Sequence, residues 1–181
     1  MTNLQELIAQ IPAYAKDVKI NLGNLLNQEN QVLSAKQTFG SALACAYATK
    51  ETNLILALEN EAKNFLNEDE INAVKGAAAL MAMNNVYYRF THLIGDQDYA
   101  AMPAGLRMQG IVNHGIDKVD FETFSLAVSI INACGMCIDA HAAQLVKHGF
   151  SKIQVQMVAK IAAIVNSAAQ VLTIKNLFYE K

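Results

Sequence analysis

Apolar residues fill long, alanine-rich blocks broken by short polar interruptions. No stretch alternates apolar and polar residues between hairpin turns, as a half-buried strand would. The blocks open and close on helix signals. Asn67 precedes "EDEINAVKGAAALMAMNNVYYRF", with Glu70 three residues on. In such a capping box each side chain satisfies a backbone N–H of the other residue. Ser151 precedes "KIQVQMVAKIAAIVNSAAQVLTI", with Gln154 in the same relative position. Asp120 is placed to cap a helix beginning at Phe121. Gly149 is placed to end the helix containing His141, because glycine accepts the left-handed conformation at a C-terminus. The expected fold is all-α.

Between about residues 93 and 118 the pattern loosens. This stretch holds four of the nine glycines and one of the two prolines. It reads as a linker, with room for a short helix, between a helical half at about 1–92 and another at about 119–181, all in a single domain of 1–181. The halves are related at an offset of 85 residues. "QTFGSALA" (Gln37 to Ala44) then lies over "ETFSLAVS" (Glu122 to Ser129), and "VKGAAAL" (Val74 to Leu80) over "AKIAAIV" (Ala159 to Val165). A duplicated helical unit follows as an expectation. At that offset Cys134, Cys137 and His141 overlie Thr49, Thr52 and Leu56, so the C-terminal copy alone carries the chemistry.

Composition narrows the function classes. The 181 residues suffice for a full hydrophobic core, and 53% hydrophobic against 17% charged residues argues against disorder. A formal net charge of −2 gives no electrostatic reason to expect nucleic acid or an anionic membrane surface. The start, "MTNLQELIAQIPAYAKD", lacks the basic region and apolar block of a signal peptide. Lys160 interrupts the richest candidate for a membrane span, so no span is expected. The expected compartment is the cytoplasm, where a close cysteine pair is more often catalytic or metal-binding than a structural staple.

The stretch "NACGMCIDAH" (Asn132 to His141) holds two of the three cysteines. At a helix N-terminus, Cys134 would sit near the cap and Cys137 one turn in, where unpaired N–H groups and the helix dipole favour a thiolate. Asn132 is a candidate cap, and Gly135 leaves room for a closing disulfide. Two small core residues remain the bland alternative. His141 follows Cys137 by four residues, on one helical face, whereas Cys134 lies roughly 10 Å away along the axis. The histidine is therefore placed to serve Cys137. Zinc would need Cys134, Cys137, His141 and His148 to converge, and ligands strung along one helix cannot do so. Glu122 lies ten residues before Asn132, and His141 nine after it. If two helices reverse between them, the arms are each roughly 14–15 Å long and bring carboxylate and imidazole side by side. That would give a Glu–His–Cys relay. An acid favoured by the helix dipole in a first turn explains Glu122 equally well. Cys45 reads as a core residue, and Met81, Met83 and Met157 as core filler. His92, His114 and His148 have no evident partner. Tyr87, Tyr88 and Arg89 are placed for packing, a pocket or a subunit contact.

These residues together resemble the AhpD family of alkyl hydroperoxide reductases, within the carboxymuconolactone decarboxylase-like superfamily. The family pattern is a glutamate, a Cys-x-x-Cys and a histidine four residues later, matched here by Glu122, Cys134, Cys137 and His141. "YAKDVKINL" (Tyr14 to Leu22), "MNNVYYR" (Met83 to Arg89) and "GLRMQGIVNHGI" (Gly105 to Ile116) extend the likeness over nearly the whole chain. The resemblance implies an all-helical fold from a duplicated unit, assembled as a homotrimer. It implies a thiol peroxidase that also regenerates an AhpC-type peroxiredoxin, with no bound cofactor and no metal. Cys137 would be the peroxidatic thiolate that becomes a sulfenic acid. Cys134 would donate a proton and close the disulfide, with Glu122 and His141 as the relay. Electrons would come from dihydrolipoamide on a 2-oxoacid dehydrogenase E2 component, served by lipoamide dehydrogenase. Some members carry a histidine where this chain has Met136, so any role of that histidine is not carried over. A redox adaptor with little peroxidase activity and a lactone decarboxylase-like enzyme are the competing functions.

Overall fold

The computed structural model describes residues 3–25 and 32–179. Among these the regular elements are all helical. α1 spans Leu4–Ala9 and α2 Lys16–Leu25; a single 3₁₀ turn joins them. α3 (Ala35–Thr49), α4 (Thr52–Ala62) and α5 (Glu68–Leu93) complete the first half. After the short α6 (Gln97–Ala101) and a 3₁₀ turn at Gln109–Ile111 come α7 (Lys118–Ile131), α8 (Gly135–Lys147) and α9 (Lys152–Tyr179).

The ends follow local chemistry. Asn67 and Glu70 form the expected capping box at α5. At α9, the Gln154 amide N–H donates to Ser151 Oγ at 3.3 Å, and Ser151 N–H donates to Gln154 Oε1 at 2.8 Å. α8 ends as expected at Gly149, which has φ +98°. There Phe150 N–H returns to Leu145 O and Gly149 N–H to Val146 O, the paired bonds of a Schellman motif. The start of α7 differs from expectation. Asp117, three residues before Asp120, is the cap, accepting from the N–H groups of Val119 and Asp120. Asp120 instead lies buried in the first turn and accepts from Gln37 Nε2 at 3.0 Å.

α3 is the central helix, packed against α4, α5, α7 and α9, and α7 packs against α5, α8 and α9. Phe39, Leu43, Phe124 and Leu126 are fully enclosed between them. α9 is long and apolar enough to cross a bilayer by length and composition, with a mean hydropathy of 1.6. Its apolar stripe is Val158, Ile161, Ala162, Val165, Ala168, Ala169 and Leu172, positions that share one face of the helix. That stripe is buried, and α9 packs against α3 and α7.

The order α3, α4, α5 recurs as α7, α8, α9, with lengths of 15, 11 and 26 residues against 14, 13 and 28. Both first turns carry a left-handed non-glycine residue, Lys50 (φ 63°) and Ala133 (φ 52°). These stand 83 residues apart rather than 85, which corrects the register over the cysteines. Cys134 corresponds to Glu51, Cys137 to Leu54 and His141 to Leu58. Glu51 caps α4 as Cys134 caps α8, and Leu54 and Leu58 are fully buried. In the first copy, apolar packing stands where the second carries reactive groups.

Candidate active site

The site is built on the reversal from α7 to α8. α7 ends in a second Schellman motif: Ala133 N–H returns to Ile130 O at 3.0 Å and Cys134 N–H to Ser129 O at 3.2 Å. Ala133 takes the left-handed position usually given to glycine. Cys134, last residue of that motif, is also the cap of α8, and its Sγ accepts the Cys137 N–H at 3.3 Å. The cap is thus Cys134 itself. Asn132, read as a candidate cap, instead closes α7 and ties the turn to α5: its carbonyl accepts from Arg89 Nη1 at 2.6 Å, and its Nδ2 donates to Asn85 Oδ1 at 3.0 Å.

The tight reversal brings the two cysteines together, joined as a disulfide with Cα atoms 5.3 Å apart. Cys134 is fully enclosed, whereas Cys137 retains 6% exposure and lines a cavity. The equal-arm geometry places Glu122 on α7 against His141 on α8, with Oε2 2.7 Å from Nδ1. Their side chains are only 11% and 13% exposed, so little water competes for this bond. A carboxylate can only accept, so Nδ1 carries the proton and donates it. All four residues singled out in the sequence therefore meet at one place.

The cavity has a volume of about 280 Å³, and its wall includes Met81, Tyr88, Met108, Met136, Cys137 and His141. Thioethers and an aromatic ring dominate it, a surface suited to an apolar ligand. Met136, between the two cysteines, is 39% exposed at this wall. Asn84 also lines it, and its buried Oδ1 has no hydrogen-bond partner. A second cavity, about 540 Å³, is lined by Glu122 together with His114, Lys118 and Gln144.

The other candidates fall elsewhere. His114 stacks on Phe121 with ring centres 4.2 Å apart, and its Nδ1 accepts from Ile116 N–H at 3.3 Å. Burial holds His114 below the usual histidine range, against the opposing pull of the Glu122 carboxylate. His148 Nδ1 binds Gln144 O at 2.7 Å at the end of α8, facing its own helix. His92 sits in the last turn of α5. Among the described residues no group of three or more His, Cys, Asp or Glu is placed to hold a metal ion. Cys45 is fully buried, and its thiol points at Ala127 O, 3.7 Å away.

One contact was missed by sequence reasoning. Met81, which its helical spacing predicts to be core filler, places Sδ 3.3 Å from His141 Nε2. The available signal was a stripe on α5: Met81, Asn85 and Arg89 recur every four residues, and each touches the C-terminal half.

The carboxymuconolactone decarboxylase family matches residues 97–178. Curated relatives match nearly the whole chain. Alkyl hydroperoxide reductase AhpD of Coxiella burnetii (strain Dugway 5J108-111) is 52% identical over 174 residues, covering 96% of this chain and 98% of the relative. The protein of that name from Hyphomonas neptunium is 51% identical over 170 residues, with coverages of 94% and 93%. That from Azorhizobium caulinodans is 48% identical, with the same coverages.

Proposed function

Since the chain belongs to the AhpD family of alkyl hydroperoxide reductases, we propose that it is a peroxidase whose Cys137–Cys134 dithiol reduces alkyl hydroperoxides. The observation that carries this reading is the shared wall of one apolar cavity. Cys137 and His141 both line it, and Glu122 holds the far nitrogen of the imidazole.

The roles follow from position. His141, oriented by Glu122, takes the proton of the Cys137 thiol, directly or through water. The thiolate attacks the terminal oxygen of the hydroperoxide; the O–O bond breaks and Cys137 becomes a sulfenic acid. Cys134, whose sulfur lies against that of Cys137, gives its proton to the departing alkoxide, which leaves as the alcohol. The Cys134 thiolate then attacks the Cys137 sulfur. The disulfide closes, and the hydroxide released takes the imidazolium proton and leaves as water. One hydroperoxide and two thiols thus yield one disulfide, one alcohol and one water. Reduction would come from dihydrolipoamide on an E2 component of a 2-oxoacid dehydrogenase, and a further output would be regeneration of an AhpC-type peroxiredoxin. We assign this work to the cytoplasm and to a homotrimer, which the exposed apolar side chains of Val86, Phe90 and Leu93 along α5 would support.

The test is turnover of cumene hydroperoxide with dihydrolipoamide as reductant. The reduced protein should lose two thiols on peroxide treatment and regain them with dihydrolipoamide. Cys137→Ser should abolish turnover; persistence of wild-type turnover in that variant would overturn the reading. Glu122→Gln should lower peroxide reduction by roughly a hundredfold, the low end of general acid–base effects. A large loss of peroxide reduction in Glu122→Gln with peroxiredoxin reduction preserved would separate the peroxidase relay from a redox-adaptor role.

A further inference from the structure

Met81 Sδ and Glu122 Oε2 flank the His141 ring on opposite nitrogens, at 3.3 Å from Nε2 and 2.7 Å from Nδ1. A thioether and a carboxylate both accept hydrogen bonds, and neither donates. A ring with one proton would set a lone pair against a lone pair at one of these contacts. A ring with two protons makes a hydrogen bond at each. From this geometry we infer that Met81 is a positioning residue for His141, its thioether accepting the Nε2 proton and holding the ring as imidazolium while the disulfide is closed. The inference rests on the relay assigned above and extends it to the reductive half of the cycle.

Met81 is fixed for that task. It is 1% exposed, and Asn85 Nδ2 lies 3.8 Å from its Sδ. Asn85 is itself held by Ser129 Oγ at 3.0 Å and by Asn132 Nδ2 at 3.0 Å, and Arg89 holds the Asn132 carbonyl. One stripe of α5 thus braces both the base and the turn that presents Cys134. This stripe comes from the copy that lacks the cysteine pair, so that copy takes part in the chemistry through position.

The titratable surroundings of His141 are few. α7 supplies Glu122, and α8 supplies Cys137 one turn earlier. α5 supplies Tyr88 across the cavity. The segment before α7 and its first residue bring His114 and Lys118 to the outer side of Glu122. α9 brings Lys152 beside Lys147 on another part of α8, away from the cavity. The outer cavity gives solvent access to Glu122, and hence a route by which the proton spent on the departing hydroxide is replaced. The next event is attack by an external dithiol thiolate on the disulfide: its sulfur bonds to one cysteine, the S–S bond breaks, and the other cysteine leaves with the electron pair. An imidazolium one turn from Cys137 favours the thiolate that this half-reaction regenerates.

The test is nitrogen NMR of the disulfide form, labelled at its histidine ring nitrogens, near neutral pH. Both ring nitrogens of His141 should be protonated in the wild type. In Met81→Leu, which keeps bulk and removes the acceptor, the ratio of charged to neutral ring should fall roughly three- to tenfold, the range of a weak hydrogen bond to a charged donor. The pH optimum of disulfide reduction by dihydrolipoamide should shift to lower pH. A wild-type ring with a bare Nε2, or an unchanged titration in Met81→Leu, would overturn the inference. Should Met81→Leu not fold, the Met81 ε-methyl carbon of the wild type gives the answer. Its resonance must move with the His141 titration, and a flat response refutes the contact. Failure of the underlying relay would look different: Glu122→Gln would reduce cumene hydroperoxide at the wild-type rate whatever protons the ring carries.

Discussion

Cys45, Cys134 and Cys137 sit within one domain but in three environments. Cys45 lies between α3 and α7 among apolar groups, where burial pushes its thiol well above the ordinary cysteine range. Cys134 is equally enclosed, yet its sulfur faces a helix N-terminus and accepts the Cys137 N–H. Cys137 opens on the cavity. A thiol reacts through its thiolate, so enclosure without a compensating donor should silence Cys45. Titration of the reduced, folded protein with an aromatic disulfide reagent should therefore register two thiols promptly and the third only after denaturation. Three prompt thiols would contradict the burial of Cys45. The surroundings of Cys45 were legible in "ALACAYA", because flanking small apolar residues on a helix mark a core position. Those of Met81 were not. A buried methionine at helical spacing looks the same whether its sulfur meets a leucine or an imidazole, and its partner lies sixty residues away in the chain.

At the level of elements, α3 and α7 meet closely at Gly40. A Cβ built there would run into the Phe124 ring, so the missing side chain sets how deeply α7 seats. Gly40→Ala should destabilise the protein by about 1–3 kcal/mol through overpacking, despite the better helix propensity of alanine. Urea unfolding measures this; a gain in stability would mean that Phe124 can move aside freely. α7 carries Glu122, so a displaced α7 should also weaken peroxide reduction. The pairing of Glu122 with His141 was one of two readings of Glu122 that the spacing left open: with helical rise fixed, arms of nearly equal length end together if the chain reverses between them, and the structure supplies that reversal. The caps were less readable. Asp117 and Asp120 are both suitable for the start of α7, and the choice is settled by Gln37, which takes the Asp120 side chain from another helix. Asn132 likewise looked like a cap until Arg89 and Asn85 claimed it. The duplication was visible in the matched blocks of α3 and α7. The two-residue slip across the turn was not, because alanine-rich helices align almost equally well in adjacent registers.

Across the whole molecule, the two copies are tied by a charged cluster in which Lys36 from α3 meets Glu70 from α5 and Asp120 from α7. The two carboxylates respond to it with opposite sign. Burial raises Asp120 above the ordinary aspartate range, outweighing the Gln37 hydrogen bond and Lys36. Burial also pushes Glu70 upward, but the Lys36 hydrogen bond and the Asn67 N–H together bring it below the ordinary glutamate range. A group titrating higher in the folded chain than in the unfolded one holds its proton more tightly when folded. The ionised Asp120 therefore costs stability at neutral pH, and that cost fades as pH falls to the ordinary aspartate value. Glu70 is the reverse: its contribution is present above the ordinary glutamate value and is lost as pH falls through its depressed one. Asp120→Asn, which can still accept from Gln37, should be more stable than wild type at neutral pH. Glu70→Gln, which keeps the capping box because glutamine serves that position too, should be less stable. Both differences should shrink on acidification below the ordinary carboxylate range. Urea midpoints at neutral and acidic pH measure the pair together. If both variants moved the same way at neutral pH, the balance of burial against pairing would have to be reversed at one of the two carboxylates, since Lys36 pulls both the same way and it is burial that sets them apart.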